Sequence, residues 1–420
     1  KRFFGEGNAG RYIFLVDEAH NLVERARMMY SESMIKEDIL AQKKIFKDRS
    51  ERMVKALEKA NKTMLAMKRD CDKLTVLEDI YELSFALDRL QSEYERLLAK
   101  EHHLESREEV LEFFFKLRNF NAIYQLTDKN YIFYKNIRED GSFEVTLYCA
   151  NPAENLQHRI DMSVATCMYS ATLLPVNYYK TLLSTNPDNY AVYAKSIFKP
   201  SQRLLLIGRD VSSLYKRRNA SEFEKFADYI LKITSAKKGN YIVFFPSYKM
   251  LESISEVLYE KAGLAPGYTF LEQGMSMSEQ ERSDFLSEFE QKRDDTLVGL
   301  CVMGGIFGEG VDLTGEKLIG TIIIGTGMPL PSDELKLLQS FFDEHELNGF
   351  DYVYRYPGMN KVLQAAGRVI RTVDDRGVIA LLDERFLYRE NTALFPVEWE
   401  ERSVCTLDSV EKELTEFWKK

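Results

Sequence analysis

Six short apolar runs place the strongest constraint on this chain: Tyr12–Val16, Leu204–Ile207, Tyr241–Phe245, Leu297–Val302, Thr321–Ile324 and Val378–Leu382. A strand with one face in water alternates apolar and polar residues; a strand covered on both faces reads as a continuous apolar run. Through the C-terminal half these runs alternate with stretches of helical spacing near residues 221–236, 248–262, 277–291, 332–346 and 360–371. Strand and helix in alternation predict an α/β fold built on a parallel sheet.

The segment from about residue 22 to 145 has a different composition, rich in Lys, Glu, Leu and Met and nearly free of Gly and Pro before Gly141. Met53, Leu57, Ala60, Met64, Met67, Cys71 and Leu74 step by four and three, as do Val76, Ile80, Leu83, Leu87, Leu90, Tyr94 and Leu97. Such stripes are the buried faces of amphipathic helices. They meet out of phase near residue 75, which predicts an antiparallel helical hairpin. Because no Gly or Pro marks the turn, one long helix with a phase slip is the alternative. A mostly helical block is therefore expected between the first apolar run and the remainder of the sheet.

The chain has 420 residues, enough for two or three domains. A net charge of −9 means that any contact with nucleic acid must come from local basic patches, because the overall field repels phosphate. Arg203, Arg209, Lys216, Arg217 and Arg218 form one basic stretch. The five cysteines are odd in number and scattered, with no CxxC pair, so neither a disulfide framework nor a cysteine metal site is expected, and a reducing, cytoplasmic location is. The longest apolar stretch, Val164 to Val176, is interrupted by hydroxyl residues and too short to span a bilayer, so no membrane association is expected. The chain opens on Lys1-Arg2 without a methionine, which suggests part of a longer protein.

Four constellations carry chemistry. Asp17-Glu18-Ala19-His20 follows the first apolar run, at the carboxyl end of a strand, where ligands of open α/β sheets gather. Phosphoryl transfer requires a carboxylate that holds hydrated magnesium and a second group that positions the attacking water; Asp17 and Glu18 fit these roles. Gln364-Ala-Ala-Gly367-Arg368-Val-Ile-Arg371 is expected to place one amide and two guanidiniums on one helix face, where paired arginines suit a phosphoryl group. Gly304-Gly305-Ile-Phe-Gly308-Glu309-Gly310-Val311-Asp312 is a glycine-rich turn after a strand, able to bring backbone amides close to a phosphate, with Asp312 free to accept from a ribose hydroxyl. The hydroxyls of Ser170-Ala171-Thr172 could bridge to Asp17 or His20.

Two further signals are set aside. Gly5 to Arg11 nearly spells a phosphate-cradling loop, but Arg11-Tyr12 replaces its lysine and hydroxyl, so it is expected to be a flexible loop. His102-His103 stands in a charged stretch without nearby cysteines and is expected at the surface.

In this order the four constellations resemble motifs II, III, V and VI of superfamily 2 helicases, and more narrowly the iron-sulfur XPD/DinG family. Ser212-Ser213-Leu-Tyr215-Lys-Arg-Arg218 looks like that family's link into its second motor domain, Val243-Phe-Phe-Pro246-Ser247-Tyr248 like its motif IV, and Asp383-Glu384-Arg385-Phe386 like the strand end after motif VI. The resemblance implies RecA-like parallel-sheet motor domains with an inserted all-helical arch domain. The first motor domain would be partial, at 1–25 and 146–205, the arch would take 26–145 and the second motor domain 206–420. It also implies roles. Asp17 would coordinate Mg2+ through water and Glu18 would activate the hydrolytic water, with His20, Ser170 and Thr172 linking hydrolysis to domain movement. Gln364, Arg368 and Arg371 would reach the γ-phosphate of ATP, while Gly308, Glu309, Gly310 and Asp312 would sense nucleotide and DNA. Arg218, Ser247 and Tyr248 are the candidates for DNA contact. The implied activity is ATP-driven 5′ to 3′ translocation on single-stranded DNA, with a possible protein partner on the arch. The family's P-loop and the four cysteines of its 4Fe-4S cluster precede DEAH and do not occur in these 420 residues, so the chain alone is expected to be inactive. The alternative reading is a non-catalytic module that binds single-stranded nucleic acid or a partner.

Overall fold

The computed structural model describes residues 12–100, 106–263, 267–308 and 313–419. They form two compact units. The first holds the chain up to Ser170 with Asn177–Asn189 and Ser332–Glu346; the second holds Ala171–Val176, Tyr190–Pro331 and Leu347–Lys420. Among the described residues no helix is long and apolar enough to cross a membrane.

The first unit runs through β1 (Ile13–Val16), α1 (Leu22–Met29), β2 (Glu32–Ile35), α2 (Lys36–Phe46), α3 (Glu51–Arg69), β3 (Thr75–Leu77), α4 (Tyr81–Lys100), α5 (Arg107–Tyr124), β4 (Tyr131–Ile137), β5 (Phe143–Cys149), α6 (Ala153–Ile160), β6 (Ala165–Met168) and α7 (Val176–Leu183). The Ser50 side chain caps α3 by accepting from the Met53 amide. Met53, Leu57, Ala60 and Met64 of α3 share one core with Leu83, Leu87, Leu90 and Tyr94 of α4, joined by Phe46, Phe113, Leu117 and Phe120. The two stripes are thus two packed helices, and the phase slip is the passage through β3.

The insertion is not all-helical. β2, β5, β4 and β3 form an antiparallel sheet in that order. The local reason is readable at the β4–β5 turn. Gly141 sits at φ 80, Arg138 and Ser142 close the turn, and the Asp140 carboxylate accepts from both the amide and the hydroxyl of Ser142. The flanking residues Tyr131-Ile-Phe-Tyr and Phe143-Glu-Val-Thr-Leu-Tyr-Cys are aromatic and β-branched, which suits a pleated surface better than a helix. Strand β5 therefore extends this small sheet rather than the parallel one.

β1 and β6 pair in parallel, Ile13 with Ala165 through Val16 with Met168. The first apolar run was expected to be covered on both faces, yet Ile13 is 67% and Leu15 70% exposed. Among the described residues this sheet has only these two strands, so no layer covers that face.

The second unit contains β7 (Arg203–Gly208), α8 (Ala220–Ser235), β8 (Asn240–Phe245), α9 (Tyr248–Ala262), β9 (Tyr268–Glu272), α10 (Glu279–Glu288), β10 (Thr296–Val302) and β11 (Gly320–Ile324). The chain next contributes α11 (Asp333–Glu344) to the first unit, then continues with α12 (Tyr356–Ala366), β12 (Gly377–Leu382), α13 (Arg389–Thr392), β13 (Ser403–Cys405) and α14 (Val410–Lys419). Its seven strands are parallel throughout, in the order β13-β7-β12-β11-β8-β10-β9. The five apolar runs of this half are β7, β8, β10, β11 and β12; the edge strands β9 and β13 lack an uninterrupted run. Every residue of β8, β11 and β12 is buried. Alternate side chains feed two cores, one of Tyr241, Val243 and Phe245 against α8, α9 and α14, the other of Ile242 and Phe244 against α10 and α12. Helix starts are fixed by side-chain caps at Asn219, Ser247 and Ser278, the last a reciprocal box with Glu281.

Candidate functional site

In the first unit the acid pair is formed where β1 ends. Tyr169 N donates to Val16 O and Ala19 N to Tyr169 O, at 3.0 and 3.1 Å, so the two strand ends are tied together. Glu18 adopts a left-handed backbone, φ 48, which costs a non-glycine residue on the order of 1–3 kcal/mol. The Asp17 carboxylate supports that turn by accepting from the Glu18 amide at 2.8 Å. The turn brings Glu18 to Ser170, whose hydroxyl donates to Glu18 Oε2 at 3.2 Å and lies 2.7 Å from His20 Nδ1. His20 is buried while the Glu18 side chain is 64% exposed. The result is an exposed carboxylate steered by a buried imidazole and a half-buried hydroxyl, next to a second exposed carboxylate, Asp17. Thr172 is buried and belongs to the second unit.

In the second unit the arginine motif departs from expectation. Gln364 is on α12, but the helix stops at Ala366, with Gly367 as its cap. Arg368 and Arg371 therefore leave from the turn beyond the helix, not from one helix face. The cause is Asp375. Its buried carboxylate accepts from the amides of Arg371 and Thr372 and the Thr372 hydroxyl, each at 2.7 Å, and from Gly315 N at 3.0 Å. These bonds draw the backbone out of helical geometry. Burial pushes the Asp375 carboxyl up, but the hydrogen bonds from Thr372, Arg371 and Gly315 outweigh it and hold it below its ordinary value. Arg368 donates to the carbonyl of Gly308.

The glycine-rich turn lies along α12. A Cβ on Gly304 would meet the Lys361 side chain at 3.0 Å, and Gly308 accepts from Arg368. Gly304 itself, at φ 70, occupies the region that glycine tolerates. Glu309, Gly310 and Asp312 lie outside the described residues, as do Gly5 to Arg11 and His102-His103.

The other candidates collect at the carboxyl ends of the parallel strands. Ser247 follows β8 and caps α9; Tyr248 donates to Gly274 O at 3.1 Å and accepts from Gln273 Nε2 at 2.8 Å. Gln273 also accepts from Val302 N at 2.9 Å and packs against Gly305, so one buried amide joins the ends of β8, β9 and β10. After β7, Arg218 donates to Ser213 O, and its guanidinium lies 5.7 Å from the Tyr215 ring. Ser213 is locked to Asp383, which also takes bonds from Arg385. Burial pushes the Asp383 carboxyl up, but Arg385 and Ser213 outweigh it and keep it low. Arg217 is committed to Glu222 and Glu384.

Sequence reasoning missed Gln273 and Asp375. Gln273 left one signal, a polar pair Glu272-Gln273 between an apolar stretch and Gly274, and Asp375 another, an acidic turn just before β12.

The helicase C-terminal domain family matches residues 230–402. The ATP-dependent DNA helicase XPD of Sulfolobus acidocaldarius is 25% identical over 388 residues, an alignment covering 89% of this chain and 65% of that protein. The ATP-dependent DNA helicase YoaA of Haemophilus influenzae is 28% identical over 193 residues, covering 45% of this chain and 28% of the relative. The chain thus spans less than two thirds of the length of these curated relatives. Among solved structures, that of S. tokodaii Xpd4 aligns with a TM-score of 0.59 at 16% identity, covering 94% of this chain and 76% of that one, which supports the RecA-like parallel-sheet fold. The helicase C-terminal domain, these relatives and the motif order make the chain similar to XPD/DinG-type superfamily 2 helicases and support that assignment.

Proposed function

We propose that the protein is a motor that uses ATP to translocate 5′ to 3′ along single-stranded DNA and to separate duplex. The observation that carries this reading is the course of the glycine-rich turn, from Lys361 beside Gly304 to Arg368 at Gly308. From Lys361 to the helix end at Ala366 the rise is roughly 7–8 Å, so one backbone segment reaches from the strand ends near Ser247 and Tyr248 toward the arginine turn. A strand gripped at one end and a phosphate held at the other then bear on the same loop.

In this reading Glu18, steered by His20 and Ser170, orients and deprotonates the attacking water. Arg368, Arg371 and Gln364 meet the γ-phosphoryl oxygens, and Thr172, Gly308, Glu309, Gly310 and Asp312 respond to the nucleotide. Arg218, Ser247 and Tyr248 hold the strand. Asp17 would hold Mg2+ through water, an ion that keeps several waters and phosphate oxygens as ligands. Bound Mg2+ would offset charge on the β- and γ-phosphates. In this reading the protein works in a reducing cytoplasmic setting, and cluster ligands would not come from its five scattered cysteines.

These 420 residues contain no GxxxxGK[ST] loop, so the chain by itself should bind single strands but hydrolyse ATP poorly. The test compares strand-stimulated ATPase of this chain and of the complete gene product, with forked duplexes carrying a 5′ or a 3′ tail. Expected are weak hydrolysis by the chain, hydrolysis by the complete product that Glu18→Gln abolishes, and unwinding from the 5′ tail only. Robust hydrolysis by the chain, abolished by Glu18→Gln, overturns the claim about the chain. Absence of hydrolysis from either form, with strand binding that survives Arg368→Ala and Arg371→Ala, makes it a non-catalytic binding module.

A further inference from the structure

The helical insertion carries a cleft that the motor reading does not use. It is an open groove of about 490 Å³ along α4 and the end of α5. From α4, Tyr81, Phe85 and Asp88 line it, spaced four and three apart on one helix face; Asn121, Tyr124 and Gln125 line it from α5. Tyr81 is 69% and Phe85 57% exposed, so two rings are left for a ligand to cover. The Phe85 ring already holds the Arg89 guanidinium, 4.5 Å from its centroid. Asn121 is buried, and its Nδ2 donates to Gln91 Oε1 at 2.8 Å, while Gln91 donates to Glu95 at 2.8 Å. That relay engages the Asn121 nitrogen with Gln91, so its carbonyl oxygen is the amide atom not used in the relay.

We propose that this cleft binds a nucleobase of a single strand, with preference for bases that carry an exocyclic amino group. Tyr81, Phe85 and Tyr124 offer ring faces for stacking. The Asp88 carboxylate and the Asn121 carbonyl are acceptors, matched to the N–H edge of cytosine or adenine and not to the O4 acceptor of thymine. Arg89 follows Asp88 on α4, and Arg118 precedes Asn121 by one turn on α5; both are exposed, and they suit the flanking phosphates. The same two cations disfavour a third, such as an arginine of a peptide partner. The inference rests on the single-strand reading above and adds a site outside the motor elements.

The test uses the 420-residue chain with dCMP, dTMP and N-acetyl-arginine amide as probes, followed by saturation-transfer NMR, and the dodecamers dC12 and dT12 by fluorescence anisotropy at fixed salt. Expected is binding of dCMP about tenfold tighter than dTMP, the worth of one hydrogen bond to a charged acceptor. Phe85→Ala should weaken dCMP about five- to hundredfold, and Asp88→Asn should bring dCMP and dTMP together while retaining stacking. If dC12 binds but dCMP is indifferent to Phe85→Ala, the cleft assignment falls while the motor reading stands. If acetyl-arginine amide occupies the cleft and dCMP does not, it is a peptide site and the proposal is overturned. If neither dodecamer binds the chain at any salt, the single-strand reading falls and the cleft assignment with it.

Discussion

The substitution Asp375→Ala removes one carboxylate that serves four donors: the Arg371 and Thr372 amides, the Thr372 hydroxyl and Gly315 N. A hydrogen bond to a charged group is worth about 1.5–3 kcal/mol when its partner is lost in a buried setting. Arg371 and Thr372 are exposed, so their donors regain water, which leaves about 2–3 kcal/mol as the expected loss. Both tryptophans, Trp399 and Trp418, belong to the second unit, so fluorescence-detected urea unfolding reports on that unit alone. The effect has a pH signature. The folded carboxyl titrates below its unfolded value, so its stabilisation is fully present above the unfolded pKa near 4 and disappears as the pH falls through the folded value. Wild type and variant should therefore differ by the full amount at pH 7, and the difference should shrink progressively as the pH falls below the unfolded value. A loss below about 0.5 kcal/mol at pH 7, or a difference that persists in acid, would show that Asp375 does not organise the arginine turn.

Other outcomes follow from burial. Phe244→Ala empties a site in the centre of the parallel sheet, where the ring is fully buried, and should cost about 3–5 kcal/mol in the same unfolding assay. Of the five thiols only Cys167 is exposed; burial pushes the Cys149 thiol up to about 11 and that of Cys405 up to about 12, and raises Cys301 further. A thiol reagent at pH 8 should accordingly label one cysteine quickly in the native chain and all five in denaturant. Rapid native labelling of Cys301 would contradict the packing of β10.

The C-terminal sheet was legible because strands covered on both faces must be apolar at every position, and β7, β8, β10, β11 and β12 are. The edge strands escaped because their composition is mixed: β9 is only partly buried and β13 has three residues. The small antiparallel sheet of the insertion was obscured by the helical stripes around it, although the Asp140-Gly141 turn between aromatic runs was its signal. Among the candidate site residues, the contact of Ser170 with Glu18 and His20 was foreshadowed by their positions after two apolar runs. The expectation of one helix face for Gln364, Arg368 and Arg371 failed because spacing alone cannot see a carboxylate farther along the chain, and Asp375 competes successfully with the helix for those amides. Gln273 was missed for a related reason. A single amide joining three strand ends has no local pattern.

His20 and Ser170 touch across 150 residues of sequence, because the chain leaves at the end of β1 and returns through β6, its immediate neighbour. Closing a flexible loop of that length would cost about 4 kcal/mol in chain entropy, before a single bond between those strands is made. The insertion folds around a core of its own and, once folded, holds its two ends close, so most of that cost is met by its own packing. Assembly of the acid turn is then a late event, gated by the integrity of a region that contributes no group to it. Lesions deep in the insertion core should be felt first as slow acquisition of the active arrangement, not as damage to it.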